Sequence, residues 1–116
     1  MSGIDLSGSN LGEIEMEGIN LSGASLRTTS FGQSRLTNAN LSGADCTEAE
    51  FGHARLSGTN FTNAKLMGAY FASADMIRTN LTNADLTGAE IERAWMEEVI
   101  FCNTIMPDCS LRTDNV

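Results

Sequence analysis

Apolar residues recur along this chain every five positions, without a break. From Leu6 the pattern runs Leu11, Met16, Leu21, Leu26, Phe31, Leu36, Leu41 and Cys46, and continues in phase through Phe51, Phe61, Phe71, Met96 and Met106 to Leu111. Two residues before each of these sits, in most cases, a small one: Ala39, Ala44, Ala49, Ala54 and seven further alanines along the column, with Ser and Thr taking most of the rest. A period of five fits neither a helix, at 3.6, nor an isolated strand, at 2.0. It fits a coil with repeated corners, each side turning one large and one small side chain inward. Such a coil buries its inside only by stacking on its neighbours, so the pattern predicts a solenoid.

The strings Ala39-Asn40-Leu41-Ser42-Gly43 and Ala84-Asp85-Leu86-Thr87-Gly88 resemble the pentapeptide-repeat proteins, whose unit is Ala-(Asp/Asn)-Leu-x-x. The resemblance extends from Ile4 to about Met106. It implies an all-β fold, a right-handed quadrilateral parallel β-helix of about five coils, with one pentapeptide per side and twenty residues per coil. The whole chain, 1–116, is then one domain, with repeats over about 4–106 and a C-terminal cap or tail over about 107–116.

The twenty-residue coil can be checked against the residues, because positions twenty apart should stack. Asn20, Asn40, Asn60 and Asn80 form one column, beside Ser22, Ser42, Thr62 and Thr82 and beside Gly23, Gly43, Asn63, Asn83 and Asn103. Two sides away, Phe31, Phe51 and Phe71 stack inside, each like Leu11 preceding a corner that holds Gly12, Gly32 or Gly52 or, after Phe71, Ala72. Gly and Asn supply the positive φ of the third position of a type II turn. The Asn side is therefore expected to turn by type II and to form amide ladders from coil to coil. The Phe side, with Glu13, Gln33, His53, Ser73 and Arg93 at that position, is expected to use a different turn.

The ends depart from the pattern. Ile4, Ile14, Ile19 and Val99 enlarge the small column and are read as filling the mouths of the tower. Pro107 lacks the N–H that a further coil would donate. The tail Met106-Pro107-Asp108-Cys109 is similar to the Met-Pro-Asp-Gly ending of short cyanobacterial members of the family, with Cys109 in place of Gly. The stretch from Glu90 to Phe101 has a second reading, as a short helical cap.

Composition narrows the function. Fifteen acids against seven bases give a net charge of −8, which disfavours direct binding to nucleic acid. The N-terminal residues carry no basic region or apolar stretch, so neither a signal peptide nor a membrane span is expected. Three cysteines are too few for a disulfide framework, and a cytoplasmic location follows as the expectation. No cofactor or metal is expected. His53, the only histidine, sits at an outward corner without a partner in its column, Cys46 takes an inward position, and Cys102 faces out on the Asn side.

The uninterrupted phase leaves no loop to shape a pocket, so the chain reads as a non-catalytic scaffold for an unknown protein partner. Outward apolar residues gather late in the chain: Met67, Tyr70, Ile77, Trp95, Ile100 and Ile105 are the candidate interaction surface. Two readings stand for the last three, packing beneath the tail as a cap or forming a C-terminal-end dimer, so the chain is a monomer or such a dimer. The resemblance also implies an alternative. Some members of the family mimic DNA and bind type II topoisomerases such as gyrase. The acids here form no stripe, since Asp5-Ser25-Asp45-Lys65-Asp85 alternates up one side. Alternation avoids stacking like charges, which is a stabilising device.

Overall fold

The computed structural model describes residues 3–115. Its parallel β-bridges each join residues twenty apart, among them Asp5↔Ser25, Asn40↔Asn60, Arg55↔Asp75 and Asp85↔Ile105. They fall at every fifth residue, so four pentapeptides complete one revolution and the chain climbs as a four-sided β-helix.

The hydrogen bonds of one unit, Leu41–Asp45, explain the residue pattern. Leu41 and Gly43 donate their N–H groups to the carbonyls of Asn60 and Thr62 on the next coil. Asp45 donates to Ala24 on the coil before, and Ala44 closes the turn on Leu41 at 3.1 Å. One N–H is left over, that of Ser42, and it donates to Oδ1 of Asn40 at 3.0 Å. An Asn or Asp before the inward residue therefore satisfies the one donor that the stack cannot reach. The same contact recurs at Asn60–Thr62, Asn80–Thr82 and Asp85–Thr87. In place of the expected ladder, the amide oxygens of the Asn column are turned into their own turns, where the Ser or Thr hydroxyl also donates to them.

On the Phe side the expectation of a different turn is wrong. Glu13, Gln33, His53, Ser73 and Arg93 have φ between 58° and 64°, in the left-handed region that Gly23 and Gly43 on the Asn side also occupy at 67°. The ladder dictates this conformation. At Glu13, Gln33 and His53 the third residue of the turn aims its N–H along the axis, as Gln33 does to Gly52 at 2.9 Å, whatever its side chain. Gly12, Gly32 and Gly52 stay outside that region, and close packing accounts for two of them. A Cβ on Gly12 would lie 3.0 Å from the Gly32 carbonyl oxygen, and one on Gly52 3.0 Å from the Tyr70 ring.

Inside, Phe31, Phe51 and Phe71 stack nearly parallel with centroids 5.0 and 5.1 Å apart. Phe61 meets Phe51 and Phe71 edge-on from the opposite side. Cys46 is buried among the leucines, and burial pushes its thiol up well beyond its ordinary range. Buried threonines tie the coils together. The hydroxyls of Thr29, Thr59, Thr79 and Thr104 donate to the carbonyls of Leu6, Leu36, Leu56 and Leu81, each on the coil before. Replacing Thr59 by Val keeps the shape and deletes that bond, while the Leu36 carbonyl still accepts from Ala39. The expected loss is about 1 kcal/mol, read as a melting temperature lower by roughly 4 °C in a thermal unfolding curve.

The C-terminal end closes by a hairpin. Strand β1, Ile100–Ile105, pairs antiparallel with β2, Leu111–Asn115, while its other edge bonds to the coil before. The coil continues to Pro107, whose carbonyl accepts from Gly88. The chain then turns back, with Cys109 at φ 70° donating to Met106 and Met106 donating to Ser110. Cys109 thus holds the left-handed position at which such three-residue hairpin loops favour glycine. The Arg112 guanidinium lies 4.0 Å over the Phe101 ring and also pairs with Asp114 at 2.6 Å. Between Glu90 and Phe101 the coil persists, with bridges at Glu90, Trp95 and Ile100, so that stretch is not a helical cap. Leu111 keeps the five-residue phase yet is 66% exposed on β2. Val99 is buried as expected of a filling residue, whereas Ile14, 41% exposed, does not close the N-terminal mouth.

Candidate interaction surface

Each outward residue of this tower is placed by its rank within the pentapeptide, so the candidate surface can be laid out side by side. Tyr70 precedes Phe71 on the Phe side and is 42% exposed, its ring leaning over Gly52. Met67 stands on the preceding side and is half-buried. Ile77 and Trp95 share the side after the Phe side, where Trp95 bridges to Asp75 and is 59% exposed. Ile100 and Ile105 belong to β1, Ile100 on the remaining side and Ile105 on the side of Met67, opposite Asn115 and Leu111 of β2. The six residues are thus distributed around the tower. The hairpin engages Ile100 and Ile105 through their backbone and leaves Trp95 largely in solvent, which divides the three residues read together as a cap.

A second feature lies on the Phe side. Gly12, Gly32 and Gly52 floor a shallow groove of about 340 Å³, walled by Asn10, Ser30, Glu50 and Tyr70 on one flank and by Glu13, Gln33 and His53 on the other. The glycine column was visible in the sequence as a backbone feature. That it floors a groove depended on knowing that its φ is ordinary and its neighbours are long.

The charges are dispersed. Arg27 pairs with Asp45 at 3.3 Å and Arg35 with Glu15 at 3.5 Å, each pair linking one coil to the next. Burial opposes ionisation of Asp45, but hydrogen bonds from Thr47 and the Arg27 charge outweigh it and hold its carboxyl below the ordinary value. No group of three or more His, Cys, Asp or Glu among the described residues is arranged to hold a metal. Cys46, Cys102 and Cys109 are all free thiols; Cys102 is half-buried and Cys109 is exposed at the hairpin turn. No described helix is long and apolar enough to cross a membrane.

The family description Pentapeptide repeats matches residues 1–38, 34–71 and 64–103, with eight copies. The chain is a pentapeptide-repeat protein. Members of this family and its structural neighbours are right-handed quadrilateral β-helices. Among solved structures, a pentapeptide repeat protein from the Arabidopsis thaliana thylakoid lumen is 28% identical, over 79% of this chain and 68% of that one, with a TM-score of 0.47. Trypsin-treated QnrB1, a plasmid-mediated fluoroquinolone resistance protein, superposes with a TM-score of 0.65 at 15% identity, over 89% of this chain and 63% of its own. The pentapeptide repeat protein Rfr23 from the cyanobacterium Cyanothece is 23% identical over 84% of each chain, with a TM-score of 0.42. At these values the likeness to QnrB1 is one of fold. A comparison with curated protein sequences found no match.

Proposed function

We propose that this pentapeptide-repeat protein is a non-catalytic, cytoplasmic interaction scaffold, a tower of about five coils that engages a protein partner through outward apolar residues toward its C-terminal end. Trp95 carries the reading. A large aromatic with most of its surface in water, on a rigid side, has the character of an interface anchor. Tyr70 and Ile77 extend the apolar character down two sides, with Met67, Ile100 and Ile105 at its margins. The regular sides, built from repeated turns, support a docking role over catalysis. The partner is a protein, neither nucleic acid nor membrane, and a second copy meeting the same end is included as a dimer.

Sedimentation velocity over a range of concentrations, with Trp95→Ala and Ile100→Ser, separates the two occupants. Self-association that both substitutions abolish identifies a dimer. A monomer whose captured partner is lost with Trp95→Ala identifies another protein. Partner capture and association state unchanged by Trp95→Ala would sink the reading.

The second reading, a DNA-like binder of gyrase, draws support from the acidic charge and from the fold shared with QnrB1. The magnitudes weigh against it. The molecule measures 31 × 21 × 20 Å, and duplex DNA of that length carries about 18 charges, against a net 8 here. Supercoiling by gyrase, with and without a quinolone, decides it: an effect at stoichiometric protein would reverse the order of the two readings.

A further inference from the structure

The corners of the Phe side reverse the residue order found on the Asn side, and the reversal opens the groove. On the Asn side Ser42 and Thr62 are followed by Gly43 and Asn63, so a residue suited to positive φ occupies the positive-φ position. On the Phe side glycine comes one residue early, and Gln33 and His53 take the left-handed position instead. Nothing in the backbone requires glycine at position 32. Gly32 lies outside the left-handed region, and a Cβ there would meet nothing closer than the Gly52 carbonyl oxygen at 3.7 Å, an ordinary contact. The missing side chain lowers the floor between two rows of longer residues.

That floor holds spare donors. The N–H of Gly12 donates to Asn10 Oδ1 at 3.1 Å, as in the other turns that Asn or Asp caps. Ser30 and Glu50 stand in the place of Asn10 on the next two coils, and neither caps its turn. Among the described residues the N–H groups of Gly32 and Gly52 meet no acceptor, while their carbonyls accept from Glu13 and Gln33. Both glycines lie within the stack, with a coil on either side. The two donors stand about 4.8 Å apart along the axis, the spacing of adjacent strands, with no side chain of their own to cover them. Around them the groove offers acceptors, with the Glu13 and Glu50 carboxylates on opposite flanks beside Gln33 and His53, and no Lys or Arg lines it. Tyr70 closes one end, its ring edge lying against Gly52.

An anion would meet two carboxylates and no cation there, and a cation would meet the N–H groups of the floor. A neutral ligand rich in hydroxyls suits both. Its oxygens accept from the floor, its O–H groups donate to the carboxylates, and its C–H surface lies on the tyrosine ring. Equatorial hydroxyls on alternate carbons of a pyranose ring match the separation of the two floor donors. An extended peptide spaces the carbonyls of one edge about 6–7 Å apart and fits less well. We propose that the Phe-side groove binds a neutral carbohydrate with equatorial hydroxyls, held by the N–H groups of Gly32 and Gly52, the carboxylates of Glu13 and Glu50 and the ring of Tyr70. Its volume of about 340 Å³ admits a disaccharide. Trp95, on which partner docking rests, lies on the next side, so the site goes beyond that role and does not depend on it.

The test titrates cellobiose into the labelled full chain and follows amide chemical shifts. Saturable shifts at Gly32, Gly52, His53 and Tyr70 are expected. Gly32→Ala is the deciding variant. Its Cβ fits the backbone, so the melting temperature should not fall, yet it covers the donor, and affinity should drop about fivefold. Glu50→Gln and Tyr70→Ala should each weaken binding by a similar factor, whereas Tyr70→Phe keeps it and Glu97→Gln, outside the groove, leaves it unchanged. A disaccharide with glucuronate in place of one glucose should bind more weakly than cellobiose. The proposal is overturned by absence of saturable shifts at tens of millimolar sugar, by shifts confined to other sides, or by undiminished binding in Gly32→Ala. It is overturned equally by a capped Ser-Val-Thr-Val peptide that displaces the sugar from the same amides at lower concentration, which would make the groove a peptide site.

Discussion

Phe51→Ala should destabilise the protein more than any other single truncation in the core, by about 3–5 kcal/mol. Phe51 is the middle ring of three, stacked on Phe31 at 5.0 Å and on Phe71 at 5.1 Å, and it receives Phe61 edge-on at 5.6 Å. Removing it forfeits the transfer term, opens a cavity and ends three aromatic contacts, each of the kind that contributes about 0.5–1.5 kcal/mol beyond burial. The surroundings have little freedom to collapse into the space. Each coil is tied to its neighbours by backbone bonds of 2.7–3.0 Å at this position, Phe51 to Tyr70 and Glu50 to Thr29. Phe51→Leu, which keeps most of the volume, should cost about 1–2 kcal/mol. Chemical denaturation of the two variants checks this. A Phe51→Ala midpoint close to that of Phe51→Leu would mean that the ring stack adds nothing beyond hydrophobic volume.

That the three phenylalanines share one side was legible in the sequence because the repeat is strict. When every fifth residue is apolar and columns repeat every twenty, facing and stacking follow from counting. Legibility ended where counting ended. The Asn column was visible, but its oxygens serve the N–H two residues on; the Ser or Thr at that second position was the available signal, and it was read as a second column. Leu111 kept the phase and was exposed on β2 all the same, because Pro107 and Asp108 start a hairpin that a five-residue count passes over. The groove floored by Gly12, Gly32 and Gly52 required knowing which neighbours rise around it. Tyr70 and Trp95 were identifiable as outward by rank; how far they protrude depended on what the tail does.

The turn on the Phe side was the plainest misreading, and it leads to a stabilising prediction. Equating positive φ with Gly or Asn assumes that the residue chooses the conformation. Here the ladder imposes it on Gln33 and His53, whose N–H groups donate to the next coil, and these two with Ser73 occupy the left-handed region at a cost of about 1–2 kcal/mol each. Glycine would remove that cost and add roughly 0.5–1 kcal/mol of chain entropy. The triple variant Gln33→Gly, His53→Gly, Ser73→Gly should then gain about 2 kcal/mol in all, with some departure from additivity because the three positions stack on adjacent coils. The same substitution at Thr37, which precedes the left-handed Asn38 and lies outside that region itself, should lose about 1 kcal/mol. Opposite signs in thermal and denaturant unfolding would establish the cause as backbone conformation. A loss in the triple variant would show instead that these exposed side chains stabilise the coil by contacts along the column. The distinction bears on function. The other three sides place Gly or Asn in at least some of these corners, and the Phe side places neither in any from Glu13 to Arg93. If glycine is the more stable choice there, the groove's flank holds its polar side chains against the backbone's preference, and their worth lies in what they present to solvent.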